Sequence, residues 1–376
     1  MNRVLVITGW GVASPVGIGA EDFAAAVRDR RGGVGDVRDL FDGQLPDRPA
    51  AALAAFRARD HLGRKGTGSL DRGTALALVA AGHALADAEL VLDSDRAQAT
   101  GVVLGTTAGS VQSVAEYDRD TLVQDKPYLV EPMLFPTTVM NCAAGRTAIR
   151  HGLKGVNATV AGGQLALVQV LRYTRNALTR GHAETVLAGA FEELSPHRAW
   201  QHRVAGTDGD AVGEGAGVFV VELPATAQDA GRVPRAAVLA VETAVGDDAG
   251  SALARCLARA LEDAGVAPER VTLVATGERG EAGVDAAERT GIAAVLGDVP
   301  LLAVKDLVGG CDAAAGAFQL AALLARYRDG HRGVTVLTSV TAEGTAGVAV
   351  LSDVTSEGTA GVAVLTDDVT GWSDVD

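Results

Sequence analysis

The sequence predicts an α/β fold made of two similar halves. Three observations carry this. The chain has 376 residues, more than one hydrophobic core usually serves. Short runs rich in Val, Ile and Leu alternate with longer stretches of helical apolar period, the pattern of βαβ units. A polar stretch rich in Ala, Gln, Asp, Gly and Pro interrupts the alternation at residues 224–234, after which it restarts. Apolar residues at 48% and charged residues at 21% give a globular balance rather than a disordered one.

In chain order, residues 4–7 form a first strand because four apolar residues precede a glycine. Residues 74–90 (TALALVAAGHALADAEL) keep a helical apolar period, and residues 101–105 (GVVLG) read as a buried strand. A helix over 165–180, a strand over 185–189 and a strand over 217–223 complete the first half. The second half sets strands at 237–241, 271–276, 301–304 and 334–337 around helices at 251–264, 285–296 and 312–328. Strand–helix alternation of this kind predicts a mainly parallel sheet. The halves are expected to span 1–226 and 235–376. Near the C-terminus, VTAEGTAGVAVLSD (340–353) is followed by VTSEGTAGVAVLTD (354–367), identical at 12 of 14 positions. Two copies make no solenoid. The first supplies a turn and a returning strand, so the second is expected to be a dispensable extension.

Composition removes several function classes. A net charge of −14 without any Lys/Arg run argues against nucleic acid, whose phosphates need a basic surface. No apolar run reaches the ~18 residues of a membrane helix. The apolar start is too short for a signal-peptide core. Cys142, Cys256 and Cys311 form no CxxC pair, so neither a metal site nor a disulfide framework is predicted. A reducing cytoplasm fits that usage.

Two glycine-rich points could carry chemistry. Gly9-Trp10-Gly11 follows the first strand, but Ser14-Pro15 stand where a dinucleotide loop has its third glycine, and no acidic residue closes a second strand. A tight turn at the strand end is the expectation. Gly162-Gly163-Gln164 leads directly into a helix. A nucleophile elbow places Ser or Cys there, where the helix N-terminus favours an anion. Gln164 can donate and accept hydrogen bonds but cannot be acylated, so by itself it reads as a helix-start residue.

With these motifs in order, the chain resembles the β-ketoacyl synthases of the thiolase fold. The resemblance is carried by RVLVITGWGVASPVG (3–17), SLDR (69–72), GTTAG (105–109), PTTVMNCAAG (136–145), GVN (155–157), VLAGA (186–190) and VGEGAG (212–217). It implies two αβ halves stacked as a five-layer αβαβα sandwich. It also implies where the family's chemistry stands. The acylated cysteine falls at Gln164. The first catalytic histidine falls at Thr276 in VATG (274–277), and the second at Gly310 in KDLVGG (305–310). Only Lys305 is retained. Beyond His202 the sole histidine is His331, in a polar segment that reads as a surface loop. Condensation needs a thiolate to carry the acyl chain and imidazole donors for the enolate. The resemblance therefore implies no catalytic residues in this chain.

Within the family, Gln at the cysteine position occurs in decarboxylating loading ketosynthases, which keep both histidines, and in chain-length factors of type II polyketide synthases. Loss of both histidines favours the second. A chain-length factor forms a heterodimer with an active ketosynthase in polyketide biosynthesis and walls the tunnel that limits acyl length. No cofactor is implied: the substrate rides on the phosphopantetheine of an acyl carrier protein. By the same resemblance the tunnel positions are Val111, Val114, Asp118 and Phe135, with ordinary helix packing the alternative for the two valines. The interface strand is Asn157, Ala158, Thr159, Val160 and Ala161. Carrier proteins are acidic, so docking is expected to use the partner or a local Arg cluster. The chain is compressed between His197 and Gly213, which keeps a reduced polyene product open beside an aromatic one. The alternatives are a Gln-type malonyl decarboxylase that supplies the primer, or a homodimeric thiolase-fold binding protein. Cys142 and Cys311 read as buried packing thiols, and His151 as a helix-end residue.

Overall fold

The computed structural model describes residues 4–41, 45–46, 49–205, 211–278 and 280–354. Ten strands lie on one hydrogen-bonded path. In the N-terminal half they are β1 (Leu5–Ser14), β2 (Thr100–Thr106), β3 (Asn157–Ala161), β4 (Thr185–Glu192) and β5 (Gly215–Glu222). In the C-terminal half they are β6 (Ala236–Val245), β7 (Val271–Thr276), β8 (Leu301–Ala303), β9 (Val334–Val340) and β10 (Thr345–Ser352). Their order is β8-β7-β9-β10-β6-β1-β5-β4-β2-β3. Read outward from the centre, both halves run first, fifth, fourth, second, third strand.

The two half-sheets join where β1 pairs antiparallel with β6, Leu5 opposite Val238 and Ile7 opposite Ala236. The sheet is mixed rather than mainly parallel. β2 pairs parallel with β3 and β4, and β7 with β8 and β9. The first and last strands of each half run antiparallel. The reason is local: β9 returns through a tight turn into β10, where Thr341 N donates to Thr345 O at 2.9 Å. A hairpin can only be antiparallel. That hairpin belongs to the first copy of the terminal repeat. The second copy lies outside the described residues, apart from Val354.

Nine helices of six residues or more concern the site and core: α1 (Ala20–Asp29), α2 (Arg72–Asp87), α3 (Val111–Val123), α4 (Cys142–His151), α5 (Ala166–Thr179), α6 (Pro196–Val204), α7 (Ala249–Ala264), α8 (Ala282–Leu296) and α9 (Ala313–Arg328). α5 and α9 pack on each other and on strands of both halves. They form the middle layer. α2 and α4 cover the N-terminal half-sheet, while α7 and α8 cover the other. The five layers are therefore present, with one sheet path folded around the central helices.

Sequence explains which helix goes where. α9 (AAAGAFQLAALLARYR) is apolar on nearly every side and is buried over most of its length, as a helix without a polar face must be. Its one interior polar group, Gln319, donates from Nε2 to Ala275 O and Thr338 O, both at 2.9 Å. Phe318 stacks on Phe23 of α1 at 5.8 Å between ring centres. α2 starts at Asp71, whose carboxylate accepts from Thr74 N at 2.8 Å.

Gly9-Trp10-Gly11 is not a turn. All three residues lie inside β1, where all ten residues are buried. A Cβ on Gly9 would sit 2.6 Å from Ala84 O, and one on Gly11 2.3 Å from Ala80 O. The glycines let α2 lie directly on the strand. The interruption at 224–234 also contains a short helix, Pro224–Asp229.

Candidate functional site

β3 ends at Ala161, and the chain turns sharply through Gly162 and Gly163 into α5. A Cβ on Gly162 would lie 2.9 Å from Ala166 Cα. Gly163 holds φ 49°, which glycine adopts freely. The turn places Gln164 inside the protein. Its carbonyl accepts from Ser339 Oγ at 2.9 Å and its Nε2 donates to Asp312 Oδ1 at 3.3 Å. Its Oε1 is buried without a hydrogen-bond partner.

Thr276 closes β7, and its buried Oγ1 likewise lacks a partner. Gly310 lies between the short helix Lys305–Val308 and α9. Its N–H donates to Ala211 O at 2.8 Å, and its carbonyl accepts from Gly213 N at 2.9 Å. Gln164, Thr276 and Gly310 line one cavity, together with Lys305, Cys311 and Gln319. Three positions more than 30 residues apart in sequence thus meet at one point. The cavity holds about 10 Å³, room for a single water and none for an acyl chain.

Beside this cavity, joined to it through the Gln164 side chain, lies an ion-pair network that sequence reading did not reveal. Arg198 of α6 donates to Asp312 Oδ2 at 2.6 Å, to Glu193 O at 2.6 Å and to Gly213 O at 2.7 Å. His202 Nε2 lies 2.9 Å from the same Asp312 oxygen. Burial alone would raise the Asp312 carboxyl. Arg198 and His202 outweigh it and hold the group well below the usual carboxylate range. Burial also works against charge on Arg198, but Asp312 and Glu192 keep it protonated. Asp312 itself adopts φ 39°, a conformation non-glycine residues rarely take. Surroundings that fix a residue this way must over-determine it. No local motif announces Arg198 or Asp312: a helix-borne Arg and an Asp after a cysteine look like surface residues until the fold brings them together.

The one cysteine that lines the cavity is shielded. Cys311 is fully buried, its Sγ lies 3.1 Å from Val308 O, and burial pushes its thiol far up. Cys142 is half-buried rather than buried, since it opens α4 near the surface. Burial raises its thiol too. His151 ends α4, and burial lowers it to about 4. His331 follows α9 and bonds Thr272 Oγ1 at 2.9 Å. Among the described residues no group of three or more His, Cys, Asp or Glu could hold a metal ion. No helix there is long and apolar enough to cross a membrane.

The positions read as tunnel and interface lie together elsewhere. Val111, Val114 and Asp118 sit on α3, no residue of which is buried. Val111 and Val114 are partly buried there, and Asp118 is exposed. Phe135, in the turn Pro132–Thr137, is 56% exposed, with its ring 6.0 Å from Tyr117. Asn157, Ala158, Thr159, Val160 and Ala161 form β3, the last strand of the sheet, bonded to β2 on one side. A groove of about 530 Å³ separates this strand from Thr138–Asn141. Val139 and Met140, which line it, are exposed, and so are Met133 and Ile149 in the flanking segments. One basic stretch also stands out on this acidic chain. Arg57, Arg59, Arg64 and Lys65 are exposed within nine residues, and Arg150 of α4 is tied to them through Leu62 O at 3.0 Å.

Comparison with known proteins agrees with this geometry. The β-ketoacyl synthase N-terminal domain matches residues 2–227, and the C-terminal domain of the same family matches 240–331. The chain is 29% identical to actinorhodin polyketide β-ketoacyl synthase 2 of Streptomyces coelicolor, over 90% of this chain and 89% of that protein. It is also 29% identical to the tetracenomycin polyketide synthase ketoacyl synthase beta subunit of Streptomyces glaucescens, over 86% of each. A solved structure, the ishigamide ketosynthase/chain length factor, superposes with a TM-score of 0.84 at 37% identity, covering 93% of this chain and 99% of that one.

Proposed function

The chain belongs to the β-ketoacyl synthase family, and on that premise we propose that it is a chain-length-factor subunit. In this reading it pairs with an active ketosynthase and shapes the tunnel into which an acyl chain grows. The observation that carries it is the closed centre. Gln164, Thr276 and Gly310 surround a space of about 10 Å³ that offers neither thiolate nor imidazole. Acyl transfer needs a nucleophile, and decarboxylative condensation needs donors for the enolate. The partner would supply both.

The exposed surface supports the same division of labour. An edge strand with free backbone groups favours pairing with another chain. Beside β3 lie exposed Val139 and Met140, and Met133, Phe135 and Ile149 of the flanking segments are exposed too, an apolar collection of the kind that marks an interface. α3 sits on this side without a buried residue, so Val111 and Val114 are free to line a space shared with the partner. The substrate would arrive on an acidic acyl carrier protein, and the stretch Arg57–Lys65 is the local positive charge that suits it.

Co-expression with an active ketosynthase from the same biosynthetic locus, followed by light scattering, tests the reading. A one-to-one complex is expected. A stable homodimer that excludes the ketosynthase would replace it with the binding-protein reading.

A further inference from the structure

α3 is an unusual helix: its 13 residues bury none of their own surface fully. It carries Val111, Val114 and Asp118 and rests on α6 and the turn Pro132–Thr137 rather than in the core, so polar contacts weigh heavily in fixing its position. The structure offers one strong hold, at its first turn. Glu193, the residue after β4, is 1% exposed. Its Oε2 accepts from Ser110 Oγ at 2.8 Å, and its Oε1 accepts from Gln112 N at 3.0 Å. Ser110 is also the helix cap, accepting from Ser113 N at 3.1 Å. Val111 lies between the two residues that Glu193 grips. The main chain of Glu193 is anchored from behind, because Arg198 donates to its backbone carbonyl at 2.6 Å. The same arginine pairs with Asp312 in the closed centre.

We propose that Glu193 is the positioning residue of the tunnel helix: it fixes the first turn of α3 without touching substrate, and the length distribution of the product depends on it. This rests on the chain-length-factor reading and deepens it. A carboxylate at a helix N-terminus serves the exposed N–H groups and the positive end of the dipole together. A helix held at one end pivots when that end is released, and side chains further along it then move the most.

The test uses the heterodimer with its ketosynthase and carrier protein, with products analysed by mass spectrometry. Glu193→Leu is expected to raise the share of off-length products by about threefold and to speed amide exchange at residues 112–114 by about tenfold. Ser110→Ala, which removes one of the two bonds, should shift both in the same direction. Glu193→Gln should return both close to the parent, since its carbonyl still serves Gln112 N and its amide can donate to Ser110 Oγ. Val114→Trp is the control for the reading beneath. If Val114→Trp changes the products while Glu193→Leu and Ser110→Ala leave them unchanged, Glu193 is not the positioning residue and the tunnel reading stands. If Val114→Trp leaves them unchanged in an intact complex, the tunnel reading falls and this inference with it. Should Glu193→Leu fail to assemble, the milder Ser110→Ala decides.

Discussion

Asp312 illustrates how one residue can depend on another that is remote in sequence. Its carboxylate, 20% exposed, is held among Arg198, His202 and Gln164. Replacing Arg198 by Met leaves that charge without its main partner, and breaking a buried pair on one side costs roughly 3–5 kcal/mol. The variant should unfold at distinctly lower denaturant, and Arg198→Met combined with Asp312→Leu should recover much of the loss. Parent-like stability of the single variant would show that the network contributes little. Glu288 behaves in the opposite way. Burial pushes its carboxyl up to about 7, despite bonds from Thr338 Oγ1 at 2.7 Å and Gly277 N at 2.9 Å. Because the folded value is raised, its stabilising contribution is full below the ordinary glutamate range near 4.5 and is lost as pH rises through about 7. Both donors meet the same oxygen, so Glu288→Gln keeps both bonds and removes the ionisation. It should stabilise the protein at pH 8 by up to about 2–3 kcal/mol and do nothing at pH 4. Thermal melts at the two pH values check this, and equal effects at both would contradict it.

At the level of elements, α3 carries the proposed tunnel positions. Val111→Phe or Val114→Trp adds bulk to partly exposed positions of a helix with no fully buried residue, so folding should be little affected. The product of the heterodimer should become shorter, with the parent length reduced to a minor component. An unchanged distribution from a well-folded complex would remove these positions from the tunnel. Other elements differ in how plainly the sequence announced them. The strands rich in Val and Leu and the helix that becomes α9 were legible because periodicity reports burial directly. The elbow at Gly162–Gln164 was legible because a glycine pair before an apolar helix is a local signal. Gly9-Trp10-Gly11 was misread as a turn. Two glycines inside a strand look like a break unless the helix lying on them is known, and that contact joins residues about 70 positions apart. The antiparallel joint between β1 and β6 was hidden for the same reason, and so were Arg198 and Glu193. Each takes its role from a partner that only the tertiary fold supplies.

The molecule as a whole carries a net charge of −14, yet the proposed substrate arrives on an acidic protein. Uniform repulsion would slow that encounter, since summed charge governs association rates more than contact strength. The exposed stretch Arg57–Lys65 concentrates four positive side chains against the single Asp60, and Arg150 is tied to it by the Leu62 carbonyl. Like-charge repulsion over most of the surface and attraction at one place together would orient the carrier as it approaches. Reversing Arg64 and Lys65 to Glu removes that attraction while touching no buried residue. In the heterodimer the apparent KM for the carrier protein should rise about three- to tenfold at low salt, with kcat little changed. The difference should shrink toward physiological ionic strength, where the screening length falls to about 8 Å. An unchanged KM at low salt would assign carrier docking to the ketosynthase subunit alone. A loss that persisted undiminished at high salt would mean that the two residues make close, shielded contacts rather than steering from a distance.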